Sequence, residues 1–488
     1  MPRLTCLAGT ALTSITLIMT ASTAGAETLQ DALAKAYRTN PTLTAARAGQ
    51  RAIDENVPLA KAEGRPSVGL NGTLTEQLYR EASAFGQNTP KRNFTGQASA
   101  TVPIYQGGSV RNRIRSAKEN VKAGQNSLRA TEASVFAAVV AAYLDVIRDS
   151  AVVTYNRQNV SSLETNLQAS QDRFEVGDLT RTDVAQSESR LGLARASLQA
   201  AEAQLIASKE NYIALVGSAP DDLDTPPALP GLPASPEAAV TVALRDNPDI
   251  LAAEHTRDAA HYQVNAAKGL VAPRLSAFAS GSYLDYLNSE KKLDTAFAPP
   301  GSNKAASAGL QLTVPIYQGG QPGAQARQAA AQESQAIEQQ VGTERNVIAQ
   351  TRSAYASWQA SLQNIESTKR AVSAGELSLE GVRAENTAGT RTILDILDSQ
   401  RDLLNAQVQY VAAQRDAYVA GFSLLAAMGH AEARDLGLDG GPLYDPNANY
   451  EKVRGKLFDF DFGPKPEPQA TRTQDVPAAD LKIINHEY

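Results

Sequence analysis

The sequence predicts an α+β membrane protein with an internal duplication: four transmembrane β-strands per chain, continued by helices long enough to build a coiled-coil body. Three observations carry this reading. The heptapeptide VPIYQGG at Val102–Gly108 returns letter for letter at Val314–Gly320, 212 residues further on. Ahead of each copy the apolar positions alternate with a period of two, and behind each copy they recur with a period of seven. Period two marks a strand with one apolar face, and period seven marks a coiled-coil helix.

The duplication extends well beyond the heptapeptide. At the same offset Val184, Leu191, Leu198, Leu205 and Tyr212 answer to Ile396, Leu403, Tyr410, Ala417 and Leu424, and Gly177 and Gly217 answer to Gly389 and Gly429. A fixed offset over so many positions is an internal repeat. The expected division is a signal peptide at 1–26, a first repeat at 27–217 and a proline-rich connector at 218–235. A second repeat follows at 236–429, then a C-terminal extension on the body at 430–462 and a disordered tail at 463–488.

The start of the chain reads as a secretory leader. Arg3 supplies the basic end, Leu4–Met19 is mostly apolar, and Ala24-Gly25-Ala26 is a small-residue cleavage site. Cys6, the one cysteine of the chain, lies inside that leader, so no disulfide or acylated cysteine is expected in the mature protein. No run of about 18 apolar residues follows, so no membrane-spanning helix is expected. The formal charge is −6, or −7 once Arg3 is gone, which gives no reason to expect nucleic acid.

Each repeat starts with two helices. Residues 28–39 form the first, with Leu29, Ala32, Leu33 and Ala36 on one face. Asn40-Pro41 then caps and opens a second that reaches about Glu63. Ser235-Pro236 and Asn247-Pro248 repeat this grammar. Strands are expected at Val68–Leu74, Phe94–Ile104, Leu275–Tyr283 and Ala308–Ile316, with long polar loops at 79–93 and 285–306. Segments of about ten residues, apolar on one side and small and polar on the other, have the length and pattern of membrane-barrel strands. After Gly108 no proline intervenes before Pro220. A helix from Ser109 to Glu175 would be ~100 Å long, and its return from Thr182 to Val216 ~50 Å.

Four strands cannot close a barrel alone, because an open edge cannot face lipid. The chain is therefore expected to assemble into eight, twelve or sixteen strands. Small and polar residues between the heptad positions suit a helical wall with one wet face.

The two Asn-Pro helix starts, the duplicated VPIYQGG and above all GTRTILDILD at Gly389–Asp398 resemble the TolC family of outer-membrane efflux and type I secretion channels. The resemblance covers nearly all of the chain to about Gly441. It implies a homotrimer with a twelve-stranded barrel in the outer membrane and a helical coiled-coil tunnel across the periplasm. It also implies partnership with a periplasmic adaptor protein and an inner-membrane pump.

Site residues follow from the same segment. Asp395 and Asp398, three apart on one helical face, resemble acidic rings at the periplasmic entrance. In such rings, like-charge repulsion raises carboxylate pKa values. Two solvated acids at a helix N-terminus would have the same spacing. Thr182, Asp183 and Arg391 match positions that hold the family's entrance closed, Thr182 being compatible with a helix cap as well. Asn386 stands where the best-known closed channels have a tyrosine, and it could hydrogen-bond a carboxylate at shorter reach. The turns containing Val176, Gly177 and Asp178, and Ala388, Gly389 and Thr390, resemble adaptor-gripped tips or are plain helical-hairpin turns.

Enzyme chemistry is not expected. His255, His261, His430 and His486 are scattered without metal-ligand spacing, and neither a nucleophile elbow nor a phosphate loop is present. No cofactor and no metal are expected. The rival class is a periplasmic coiled-coil adaptor or scaffold, which would need no membrane strands. The cargo stays open between drugs, metal ions and an exported protein.

Overall fold

The computed structural model describes residues 26–79, 90–289, 301–438 and 443–483. The expected leader and the centres of both long loops lie outside the described residues. The described chain begins with α1 (Leu29–Thr39), α2 (Pro41–Asp54) and α3 (Asn56–Ala62). Strands β1 (Ser67–Glu76) and β2 (Arg92–Gln106) follow, then α4 (Ser109–Glu175) and α5 (Arg181–Val216). The second repeat is α6 (Pro236–Asp246), α7 (Pro248–Lys268), β3 (Arg274–Asp285), β4 (Ser302–Thr313), α8 (Gln321–Thr387) and α9 (Ile393–Met428), and α10 (Pro446–Val453) comes last. The second helix expected to run to Glu63 is broken at Glu55. Pro58 there has no N–H to give the ladder, whereas the second repeat has Asn265 at that place and α7 is continuous.

The Asn-Pro pairs do more than start helices. Asn40 Oδ1 accepts from the Thr42 and Leu43 amides, while its Nδ2 donates to the Leu215 carbonyl at 2.9 Å. Asn247 repeats this, accepting from Asp249 and Ile250 and donating to the Ala427 carbonyl at 2.9 Å. One buried amide thus caps one helix and serves the last turn of another. Those last turns close on Gly217 (φ 88°) and Gly429 (φ 83°).

The four strands make one antiparallel sheet in the order β1-β2-β3-β4. The register Val68↔Ala100↔Ala279↔Ala308 puts Val68, Leu70, Ala98, Ala100, Ala279, Ala308, Leu310 and Leu312 on one face. Ser99↔Ser280↔Ser307 marks the polar face. Val68, Leu70, Leu310 and Leu312 are all exposed within this chain. Phe94 lies over Gly72 and Gly96, and Phe278 over Gly309, so rings fill the gaps that strand glycines leave.

Identical heptapeptides end up in different surroundings. The first continues β2 to Gln106 through a register shift between Pro103 and Tyr105, where β3 begins at Arg274 and pairs with it. The second lies beyond β4, which stops at Thr313, so the strand expected to Ile316 is shorter. Its lack of pairing has a plain cause: β4 is an edge strand, and β3 has no residues left opposite Val314.

Helices α4 and α8 each span 67 residues, ~100 Å, and α5 and α9 each span 36, ~54 Å. The main core gathers Phe136, Val139, Tyr143, Val146 and Val153 of α4 with Leu29, Leu33, Leu205, Tyr212 and Phe422. Contrary to the sequence reading, α4 does hold an 18-residue stretch apolar enough to cross a membrane. More than half of that stretch is buried inside the chain, as befits a core helix.

The tail also differs from expectation. Lys209 is buried, and its ammonium donates to the carbonyls of Asp480 (3.0 Å) and Lys482 (2.7 Å). The Ala479 amide donates to Glu210, and Ile483 packs on the main core. A buried cation needs acceptors, and the tail supplies them to residue 483; residues 484–488 lie outside the described residues.

Asn40→Ala and Asn247→Ala should each destabilise the protein by ~2–4 kcal/mol, a lost cap plus an orphaned buried carbonyl. Asn→Asp at either place keeps the cap but sets a buried carboxylate oxygen against the same carbonyl, so it should cost at least as much. The urea midpoint of the detergent-solubilised protein, followed by circular dichroism, checks the order.

Candidate channel entrance

At the far end of the helices from the sheet, α4 turns into α5 and α8 turns into α9. Both turns are self-contained. Gly177 (φ 86°) lets its own amide donate to Phe174 and that of Asp178 to the Arg173 carbonyl at 2.9 Å. Gly389 (φ 79°) does the same with Asn386 and, through Thr390, with Glu385 at 3.0 Å. These are Schellman closures, which require a left-handed residue. Val176, Gly177, Asp178, Ala388, Gly389 and Thr390 are all exposed.

Each return helix then opens with a capping box. The Thr180 hydroxyl and amide donate to Asp183 Oδ2 at 2.7 and 2.9 Å, and the Asp183 amide donates back to Thr180. Thr392 and Asp395 repeat the arrangement at 2.7 and 2.9 Å. The signal was legible as T-x-x-D at the repeat offset, with Asp in the usual Glu position. The cap is Thr180, not Thr182. Thr182 is exposed and makes no side-chain hydrogen bond among the described residues.

Within one chain the electrostatics of Asp395 are set by its own cap, not by a ring of neighbouring acids. Hydrogen bonds from Thr392, with help from Arg391, hold its carboxyl below the ordinary aspartate value in this chain. Hydrogen bonds from Thr180 lower Asp183 likewise. Repulsion between like charges does not set either value within one chain, because hydrogen bonds to the charged form are closer.

Arg391 is engaged at home. Its Nε donates to Glu385 at 2.9 Å, Nη1 lies 3.8 Å from Asp395, and both acids raise its pKa. Asn386 donates to the Arg391 carbonyl at 2.7 Å and makes no hydrogen bond to a carboxylate among the described residues. Arg391 and Thr182 are not brought together within the chain.

Asp398 has a partner that the sequence did not disclose. Arg190 of α5 donates to it at 2.8 Å, with Arg401 at 3.6 Å. Beneath this pair Leu397 packs on Val160, Leu163, Leu191 and Ala194, and Asn166 donates to Gln400 at 3.2 Å. The two hairpins are therefore joined near their tips by one apolar cluster and one surface ion pair. No local spacing relates residues 208 apart.

The histidines stay apart from one another, but one of them meets two acids. Glu119, His255 and Asp258 offer ligand atoms within 4.8 Å of one another. Each carboxylate already has a cation: Lys122 is 3.0 Å from Glu119 and Arg257 is 2.7 Å from Asp258, while His255 Nδ1 faces Glu119 at 2.8 Å. The His255–Glu119 hydrogen bond bridges α4 and α7 between two ion pairs, one on each helix.

Two long helical hairpins rising to an apolar-faced, open-edged sheet define an outer-membrane channel protein of the efflux class. The family described as outer membrane efflux protein matches residues 32–218 and 239–430, and the chain belongs to it. It is 34% identical over 445 residues to outer membrane efflux protein BepC of Brucella suis biovar 1 (strain 1330), covering 90% of this chain and 93% of that one. It is 26% identical to outer membrane protein TolC of Escherichia coli (strain K12), over 84% of each chain. The Campylobacter jejuni CmeC outer membrane channel superposes with a TM-score of 0.72 at 16% identity, covering 89% of this chain and 90% of that one, a likeness of fold. The protein is thus an exit duct in the outer membrane that extends into the periplasm, and not an enzyme.

The capping boxes give a pH signature. A lowered carboxylate stabilises its helix start above the unfolded aspartate pKa of 3.8, and this is lost as pH falls through the folded value. Amides at the starts of α5 and α9 should lose exchange protection between pH 5 and pH 3. Thr180→Ala and Thr392→Ala should be less protected at pH 5 and show a smaller step. Mass-spectrometric hydrogen exchange, corrected for intrinsic rates, reads both.

Proposed function

We propose that three copies of this chain form the duct, each giving its four strands to a twelve-stranded barrel and its four long helices to a periplasmic tunnel. The observation that carries this is the sheet, open along β1 and β4 with an apolar face uncovered. Unpaired strand edges are inadmissible in lipid, and pairing β4 of one chain with β1 of the next removes both. The stranded second heptapeptide agrees: Ile316 and Tyr317 are 95% and 86% exposed, against 55% and 53% for Ile104 and Tyr105. A neighbouring copy at that edge would give the second heptapeptide the cover the first one has. The rival reading as a periplasmic adaptor leaves the sheet unexplained.

In this reading Asp395 and Asp398 line the periplasmic entrance as two acidic rings. Thr182, Asp183, Asn386 and Arg391 form the contacts between neighbouring coils that close it. The exposed tips 176–178 and 388–390 receive a periplasmic adaptor, which joins the duct to an inner-membrane pump. Of the relatives named above, BepC is described as an efflux protein. An alkaline protease secretion protein, AprF of Pseudomonas aeruginosa, is 26% identical over 80% of this chain, so exported protein stands beside drugs as cargo.

An SDS-resistant species of three-chain mass that collapses on boiling is the expected result in detergent. A monodisperse monomer with strand-rich circular dichroism would overturn the barrel.

The rings make opposite demands on two variants. Asp395→Ala/Asp398→Ala should lower cation preference in planar bilayers, whereas Arg190→Ala, which removes a counter-charge from Asp398, should raise it. Reversal potentials at a tenfold salt gradient measure both. Unchanged values in each variant would return these acids to an ordinary solvated helix face.

A further inference from the structure

The C-terminal extension carries a segment that neither the duct nor its entrance uses. Leu457, Phe458, Phe460 and Phe462 are 72%, 82%, 81% and 87% exposed, and they alternate with acids in the order Leu-Phe-Asp-Phe-Asp-Phe. Four large apolar side chains so fully exposed in six residues is unusual for a protein surface in water.

The segment is held in one place. Helix α10 is pinned to the body: Asn449 donates to Asp54 at 2.7 Å, Gln125 donates to Asn447 at 3.0 Å, and Tyr450 packs with Val57, Ala60, Ala117 and Val121. Past α10 the chain is tied to the residues just before β1. The Lys61 ammonium donates to the Arg454 carbonyl at 2.6 Å, and Arg65 donates to the Lys456 carbonyl at 2.7 Å. Strand β1 starts at Ser67, two residues after Arg65, and its exposed Val68 and Leu70 follow at once. The aromatic segment therefore sits beside the foot of the sheet, where the membrane surface lies if the sheet is the barrel wall.

Its surroundings are basic. Lys61 and Arg65 each give one donor to a main-chain carbonyl, and the pKa of Lys61 is lowered by its partial burial first and then by the neighbouring cations Lys118, Arg65 and Arg454. Glu451 is the acid among them and already pairs with Arg454 at 2.6 Å, leaving Lys61, Arg65 and Lys118 as the net positive charge, and Asp461 is paired with Lys456 at 2.7 Å. Aromatic side chains flanked by cations are the composition of a segment that lies in a bilayer interface.

We propose that Leu457–Phe462 is an interfacial anchor: its apolar side chains enter the periplasmic leaflet of the outer membrane, and Lys61, Arg65 and Lys118 receive anionic phospholipid headgroups. This rests on the barrel reading above. It gives the C-terminal extension a task separate from conduction: fixing the depth of the barrel through a second, peripheral contact with the same membrane. The apolar wall of β1 and the aromatic segment then form one continuous lipid-facing surface. The segment's own acids set a limit to its depth, since Asp459 and Asp461 must stay at headgroup level.

Fluorescence quenching tests it on the full-length assembled protein in vesicles. The chain has one tryptophan, Trp358, whose signal is subtracted using the unmodified protein. Phe460→Trp provides the anchor reporter; Leu70→Trp and Asn71→Trp, on opposite faces of β1, provide barrel reporters. The vesicles contain phosphatidylethanolamine with phospholipid brominated near the carbonyl end of its chains. Expected is at least a halving of the Phe460→Trp emission, with brominated phosphatidylglycerol quenching about twofold more than brominated phosphatidylcholine at equal mole fraction. One barrel reporter should also be quenched. A quenched barrel reporter with an unquenched Phe460→Trp overturns the anchor and leaves the barrel standing. If its emission is then equally blue-shifted in detergent, a neighbouring copy covers the segment instead. Quenching of neither strand reporter removes the barrel reading itself. Equal quenching by the two brominated lipids overturns the role given to the cations.

Discussion

Along the outer sides of β1 and β4 the main-chain donors and acceptors have no partner among the described residues, and both faces of the sheet are open. Few constraints on a polypeptide are stricter, because an amide left unpaired in lipid costs several kcal/mol and the edges carry a row of them. This one constraint orders the rest. With the sheet placed in the membrane, as proposed, it forbids the chain from acting alone there. It also explains why two hairpins share one sheet, and why the helical part can be narrow: it need not cover the strands. The interior that a globular domain would put under its sheet is displaced into the helices, around Tyr143, Tyr212 and Phe422.

The repeat is used unequally. Asn40 and Asn247 perform the same two tasks, and the tips at Gly177 and Gly389 close in the same way. The heptapeptides diverge because β2 is an inner strand and β4 an outer one. Position in the sheet, not local sequence, decides whether Val-Pro-Ile-Tyr becomes strand. In the core the first repeat dominates: α4 supplies large buried residues in number, while α8 buries mainly small or polar ones such as Ala329, Ala336 and Thr351.

Much of this could be read from residues alone. The span of α4, the four strands and the Asn caps follow from periodicity and from proline and glycine placement, which act locally. What escaped depended on partners far along the chain. Nothing near Lys209 says that residues 480–482 will serve its ammonium, nor does anything near Asp398 announce Arg190. The cap on Asp395 went unnoticed for another reason: attention fell on its spacing to Asp398, whereas the nearest physical fact was a hydroxyl three residues away. The break of β4 at Thr313 was hidden by the very identity of the two heptapeptides.

The self-closed tips have a mechanical consequence. The main-chain hydrogen bonds found at the two turns all stay inside their own hairpin, through Gly177 and Thr180 in one and Gly389 and Thr392 in the other. Swinging α8–α9 away from α4–α5 thus breaks no backbone bond. Near the tips it parts one half-exposed ion pair, one amide contact and the small cluster around Leu397, while the Arg415–Asp145 pair lies further up, beside Tyr143. Such a displacement is a stiff-lever motion about a distant fulcrum, the shared core near Tyr143, and not a local melting. Its heat-capacity change would be small, because little apolar surface meets water, so the balance between the two positions would shift only slightly with temperature.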